Sequence, residues 1–163
     1  MNSKFVLLTA GFLMAGFVIN AQTKNIMEKA NTFTSEQNEV MKIILDMTDA
    51  FHRKDLKGVL ASYEQNAVIV FEPEKPSSGV DVISEGFKGF FAVNPKFEYS
   101  GHEVFMNGDL AMHFAPWTMT GKTSDGNEIK QSGLSVVVLR KQSDGKWLMV
   151  FDNPFGQHLL NQR

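Results

Sequence analysis

The chain of 163 residues contains no cysteine, and only four histidines, two tyrosines and two tryptophans. Without cysteine there can be no disulfide, no thiol catalysis, no Cys-ligated metal and no lipid-anchored export product. Burial alone must hold the fold together. Charge of one sign is also lacking: the formal net charge is −2, with no basic stripe, which argues against nucleic acid and anionic membrane surfaces as partners. A phosphate-binding glycine loop and an Asn-X-Ser/Thr sequon are both missing. Ser132 and Ser135 lie in strand-like segments with no elbow, base or orienting acid nearby, so nucleophilic catalysis has no footing.

The most informative feature present is at the N-terminus. Lys4 precedes an apolar run from Phe5 to Ile19, and Ile19-Asn20-Ala21 places a small residue before Gln22. The run is shorter than the ~20 residues needed to cross a bilayer. It predicts an export signal at 1–21, cut after Ala21, and a periplasmic or secreted protein with no stable membrane anchor after cleavage. Removal of that segment leaves 142 residues, enough for one domain with a real core.

Residues 22–34 are polar and aperiodic, and read as a linker. Val40, Ile43, Ile44, Met47, Ala50 and Phe51 then recur at helical spacing, with Thr34 and Gln37 placed to form a capping box. Asp55 caps a second, short helix carrying Leu56, Val59, Leu60 and Tyr63. Ala67–Phe71 is a β-branched apolar run that predicts a short strand, ended by Pro73 and Pro76. Val80, Ile83, Phe87, Phe90 and Phe91 form a third helical face, stopped by Asn94-Pro95. From Phe97 the period becomes two, predicting strands over 97–106, 110–121, 128–140 and 146–152 with a hairpin turn at Asn107-Gly108. Helices followed by an antiparallel meander define an α+β fold. The domain is predicted over 35–155, followed by a tail at 156–163.

In its order of motifs the chain resembles the nuclear-transport-factor-2-like superfamily, in its SnoaL-like branch. The resemblance rests on Lys54-Asp55-Leu56-Lys57-Gly58-Val59-Leu60 leading to Tyr63 and Asn66-Ala67-Val68, on Gly79, and on Gly108-Asp109-Leu110-Ala111 leading to Trp117. It continues through Asp125-Gly126 and Val138-Leu139-Arg140-Lys141 to Asp144-Gly145-Lys146-Trp147. It implies a cone in which three N-terminal helices pack on a curved antiparallel β-sheet, with a pocket at the open end and a homodimer formed through the outer sheet face. That superfamily hosts isomerases, cyclases, dehydratases and ligand binders, so the fold does not choose the activity.

Two residues are candidate general bases. In steroid isomerases of the superfamily a carboxylate before a proline at the end of this strand moves the proton, and Glu72 before Pro73 occupies a comparable position. The same resemblance places Met47 where those enzymes carry a tyrosine, and Val137 or a neighbour where they carry a protonated aspartate. Neither can donate a hydrogen bond, so steroid isomerisation is not expected. Strand parity turns Ala111, His113, Ala115 and Trp117 inward, and makes His113 the second candidate. With a two-residue Asn107-Gly108 turn, His102 falls directly opposite His113. A third metal ligand has no support, so neither a metal nor another cofactor is expected. Trp147, Met149, Phe151 and Asn153 share one side of the last strand. Fourteen phenylalanines supply a greasy interior.

The predicted ligand-binding set is Met47, Phe51, Tyr63, Phe87, Phe91, His113, Trp117, Ser135 and Asn153. The expected function is noncatalytic binding of a small, largely apolar or aromatic ligand. The alternatives are a small isomerase, lyase or hydrolase using Glu72 or His113, and a dimeric structural or interaction module whose cone is filled by its own side chains.

Overall fold

The computed structural model describes residues 33–161; the predicted export signal and most of the linker lie outside them. Helix α1, Ser35–His52, opens on the expected capping box: Thr34 Oγ1 accepts from the Gln37 amide at 3.2 Å, and Gln37 Oε1 accepts from the Thr34 amide at 2.9 Å. Its buried stripe is Val40, Met41, Ile44, Thr48 and Phe51, spaced at the helical period. The Asp55 side chain caps the short α2, Leu56–Leu60, through the Gly58 amide at 2.9 Å. Helix α3, Val80–Phe91, buries Ile83, Phe87 and Phe91 on one face.

Seven strands follow the order β2-β1-β7-β6-β5-β3, with β4 also paired to β5. They are β1 Tyr63–Glu72, β2 Lys75–Ser78, β3 Lys96–Tyr99, β4 Glu103–Asn107, β5 Leu110–Lys122, β6 Glu128–Lys141 and β7 Trp147–Asn153. All neighbours are antiparallel except β1 and β7. The sheet is curved and unclosed, and the helices cover its concave side. Among the fully buried side chains are Val40, Ile44, Val59, Leu139, Trp147 and Met149.

Five details depart from the sequence reading. Tyr63, expected on the short second helix, opens β1 instead, because α2 stops at Leu60. The proline-rich segment after Glu72 is an edge strand: Pro76 pairs with Val70 at the sheet margin, where its missing N–H costs no interior ladder bond. The strand expected over 97–106 is broken at Ser100–His102. Its halves pair with different stretches of β5, Lys96–Tyr99 against Trp117–Thr120 and Glu103–Asn107 against Leu110–Phe114. The tight turn is Gly108-Asp109 rather than Asn107-Gly108, since Asn107 pairs with Leu110 and Gly108 takes a left-handed φ of 62°. Finally, β7 carries a bulge. Leu139 pairs with Met149 but Val138 pairs with Phe151, leaving Val150 extra. Beyond that point inward and outward positions are exchanged, and Asp152 is buried in place of its neighbours.

Candidate functional site

A cavity of about 80 Å³ lies between the helices and the concave face of the sheet. Ile44, Met47, Thr48 and Phe51 reach it from α1, Tyr63, Ile69, Val70 and Phe71 from β1, and Phe87 and Phe90 from α3. The sheet adds Phe97, Tyr99, Trp117, Ser135, Val137 and Asp152, with Pro154 just beyond β7. The aromatic rings brace one another. Phe51 meets Phe91 at 5.2 Å and Phe97 at 5.4 Å, Phe71 meets Phe87 at 5.2 Å, and Phe97 meets Trp117 at 5.1 Å between centroids. Two glycines permit this packing. A Cβ on Gly86 would stand 2.5 Å from the Phe71 ring, and one on Gly133 would stand 2.9 Å from Trp117. Trp117 Nε1 donates to the Pro154 carbonyl at 2.8 Å, which fixes the indole and uses its only donor.

The polar end of the cavity is built around Asp152, which is 9% exposed. Tyr63 Oη donates to Asp152 Oδ2 at 2.6 Å. Burial pushes the Asp152 carboxyl up to about 6, against the downward pull of the Tyr63 hydrogen bond. Burial, with the adjacent carboxylate, drives the Tyr63 phenol well above its ordinary range. Among the described residues, no donor reaches Asp152 Oδ1 and no group bonds the Ser135 hydroxyl. Neither oxygen is among the sealed, unsatisfied atoms of the interior, so each retains access to the space beside it. Tyr99 Oη and Thr48 Oγ1 lie 3.2 Å apart and satisfy each other on the α1 side; burial raises the Tyr99 phenol as well.

Of the residues read from the sequence, Met47, Phe51, Tyr63, Phe87, Trp117 and Ser135 line the cavity. Phe91 stands behind them, packed on Phe51. Asn153 does not line it: the β7 bulge turns Asp152 inward, and Asn153 Oδ1 accepts from the Phe155 amide at 2.9 Å. Glu72 is outside the cavity. Past the irregularity between Val70 and Glu72, β1 turns into its hairpin, and the Glu72 side chain, 65% exposed, pairs with Lys75 at the surface.

His113 is inward, as parity requires, but it is fully buried and is not a cavity wall. Its Nε2 lies 3.0 Å from His102 Nδ1, although Val104 and not His102 is its register partner. The contact is therefore diagonal. Burial first, and repulsion from His102 second, lower the His113 imidazole to about 4; burial lowers His102 too. His113 Nδ1 has no partner. An orphan acceptor is cheaper to bury than an orphan N–H, so the arrangement favours His113 as the Nε2–H tautomer donating to His102. No group of three or more His, Asp or Glu side chains placed to hold a metal occurs among the described residues. His52 Nε2 accepts from the Phe97 amide at 2.9 Å and so ties α1 to β3.

Sequence reasoning missed Asp152, Thr48, Tyr99, Phe71 and Phe97. The available signal for Asp152 was a carboxylate inside the apolar run Trp147-Leu-Met-Val-Phe-Asp152. Strict alternation placed it outside. Asp152 stands in register with Val137, the position at which the resemblance to steroid isomerases put their buried aspartate. A tyrosine–aspartate pair is thus present, contributed by β1 and β7.

The curved sheet, its helices and the cavity at their junction define a cone of the nuclear-transport-factor-2-like class. The chain belongs to the family of the SnoaL-like domain, whose model matches residues 44–150. Comparison with curated proteins gives no match. Several solved structures share the fold. A candidate ketosteroid isomerase from Shewanella frigidimarina superposes with a TM-score of 0.64 at 18% identity, over 75% of this chain and 98% of that one. A candidate aromatic ring hydroxylase from Novosphingobium aromaticivorans gives 0.67 at 19% identity, over 76% and 90%. A candidate dehydratase of the NTF2-like family from Streptomyces avermitilis gives 0.64 at 14%, over 73% and 94%. At these identities the likeness is one of fold.

Proposed function

We propose that this SnoaL-like domain binds a small, largely apolar ligand in its cone cavity without transforming it. The observation that carries the reading is the unpartnered Asp152 Oδ1 beside a space walled by aromatic side chains. Burying a carboxylate with one oxygen unsatisfied is costly, and a ligand is the natural partner for it. The volume limits the ligand. At about 80 Å³ the cavity is well below the ~300 Å³ usual for drug-sized molecules, so a steroid-sized guest does not fit. Catalysis through Glu72 or His113 loses its support, because neither side chain faces this space.

Native mass spectrometry of the protein purified from its own host tests the reading. A retained small molecule, lost in the cavity-filling variant Val137→Phe, is expected. A wild type that carries no guest, and whose melting temperature no small-molecule library shifts, would overturn it.

The export signal predicted at 1–21 from the sequence would place this activity in the periplasm or outside the cell, with Gln22 as the mature N-terminus; N-terminal sequencing of the native protein checks this. Dimerisation through the outer sheet face belongs to the same proposal. Phe105, Leu110 and Met112 are 58%, 38% and 41% exposed there, and Phe105 packs edge-on against Phe114 at 5.9 Å. Met112→Glu is expected to convert a dimer to a monomer by light scattering, with the cavity intact.

A further inference from the structure

We infer that the cavity selects a small organic cation, a tertiary or quaternary alkylammonium, which it holds between Asp152 and the surrounding aromatic side chains. This rests on the binding reading above and names its ligand class.

The charge inventory is the first argument. Among the described residues that line the cavity, Asp152 alone carries a formal charge at neutral pH, and none is Lys, Arg or His. Its single protein donor is a neutral phenol, Tyr63, bonded to Oδ2. A buried anion lacking a cationic partner is unstable unless something supplies the missing charge. No described side chain does so at Oδ1.

The walls give the second argument. Phe51, Phe71, Phe87, Phe97, Tyr99 and Trp117 surround the same space. Their rings are tilted against one another, at 76° for Phe51 with Phe97, 88° for Phe71 with Phe87 and 52° for Phe97 with Trp117. A cluster of differently oriented π systems attracts a cation from several directions, and the attraction grows once water is excluded.

Kinds of cation differ in what they demand of the site. A primary ammonium is strongly hydrated and demands three acceptors. Here Asp152 Oδ1 and Ser135 Oγ are the unpartnered oxygens, while Thr48 and Tyr99 satisfy each other. An alkylated ammonium needs one hydrogen bond or none, and its methyl or ethyl groups fit apolar walls. Size agrees. About 80 Å³ holds on the order of half a dozen water-sized groups, the bulk of tetramethylammonium or choline.

The test uses an isosteric pair. Choline and 3,3-dimethylbutan-1-ol have nearly the same shape and differ by one positive charge. Calorimetric titration of the mature protein at about pH 8 is expected to show choline binding at least about tenfold more tightly than the alcohol. Asp152→Asn should remove that preference. Wild-type affinity for choline should also fall as the pH drops below about 6, where Asp152 gains a proton. Besides Asp152, the titratable groups among the described lining residues are Tyr63 and Tyr99, and both stay neutral across this range.

The wild-type comparison and its pH dependence need no variant, so they stand if Asp152→Asn folds poorly. If the alcohol binds as well as choline or better, the cation is wrong and a neutral-ligand cavity remains. If neither binds, the inference falls, and the retained-guest experiment judges the broader reading by itself.

Discussion

Two polar pairs sit in this cone, and they behave in opposite ways. Tyr63–Asp152 lies at the cavity, joined at 2.6 Å, and its spare carboxylate oxygen keeps access to open space. His102–His113 lies further along the sheet, joined at 3.0 Å, and its spare nitrogen is sealed in packed interior. Burial is the leading cause of the shift in both, but it disfavours charge, so it raises the carboxyl and lowers the imidazole. The histidine pair is a neutral packing element. The carboxylate is charged at neutral pH at a cost to stability, the pattern expected where function and stability conflict.

The largest expected effect follows from the signs of those shifts. Between its ordinary value of 3.8 and about 6, native Asp152 holds a proton that the unfolded chain has lost. Its contribution to stability is therefore full below 3.8 and disappears as the pH rises through about 6. His113 does the reverse: its contribution is present above 6.5 and disappears as the pH falls through about 4. Each amounts to about 3 kcal/mol, so in the wild type the two largely cancel across this window. Asp152→Asn should gain about 3 kcal/mol relative to wild type as the pH is raised from about 4 to above 6. His113→Gln should lose a similar amount relative to wild type over the same range. Urea unfolding at a series of pH values measures both. Parallel curves for Asp152→Asn and wild type would show that Asp152 is not the buried acid described above.

A smaller effect separates the members of the acidic pair. Tyr63→Phe removes the hydrogen bond that holds the Asp152 carboxyl down, so its titration should move further upward. The cost should be about 1–3 kcal/mol at neutral pH and less in acid, where the carboxyl is already protonated. Carbon-detected NMR of the Asp152 side chain reads the shift directly. An unchanged or lowered midpoint would mean that Tyr63 packs beside the carboxylate without tuning it.

The same two pairs show what could be read from the sequence. Thr34 with Gln37, and Asp55, announced their helices because a cap is a local device visible within four residues. The inward face of β5 was legible because that strand runs thirteen residues without a bulge. Asp152 was hidden by one extra residue, Val150, since a bulge reverses parity without leaving a compositional mark. His102 reached His113 by a diagonal that no register count supplied, because the turn slid by one residue and the strand broke before it. Long regular elements are written locally in the chain. Bulges and breaks are decided by packing across the sheet.

The smallest effect concerns the carboxylate that the sequence favoured. Glu72 and Asp152 are both acids contributed by the sheet, yet only one is enclosed. Glu72 pairs with Lys75 at the exposed surface of the β1–β2 hairpin, away from the cavity. Glu72→Gln should leave the urea midpoint at neutral pH within error of wild type, and choline affinity unchanged. A tenfold loss of ligand affinity in that variant would mean that the hairpin folds over the cavity when it is occupied, bringing the two acids into one site. The contrast between an enclosed and an exposed carboxylate would then not survive ligand binding.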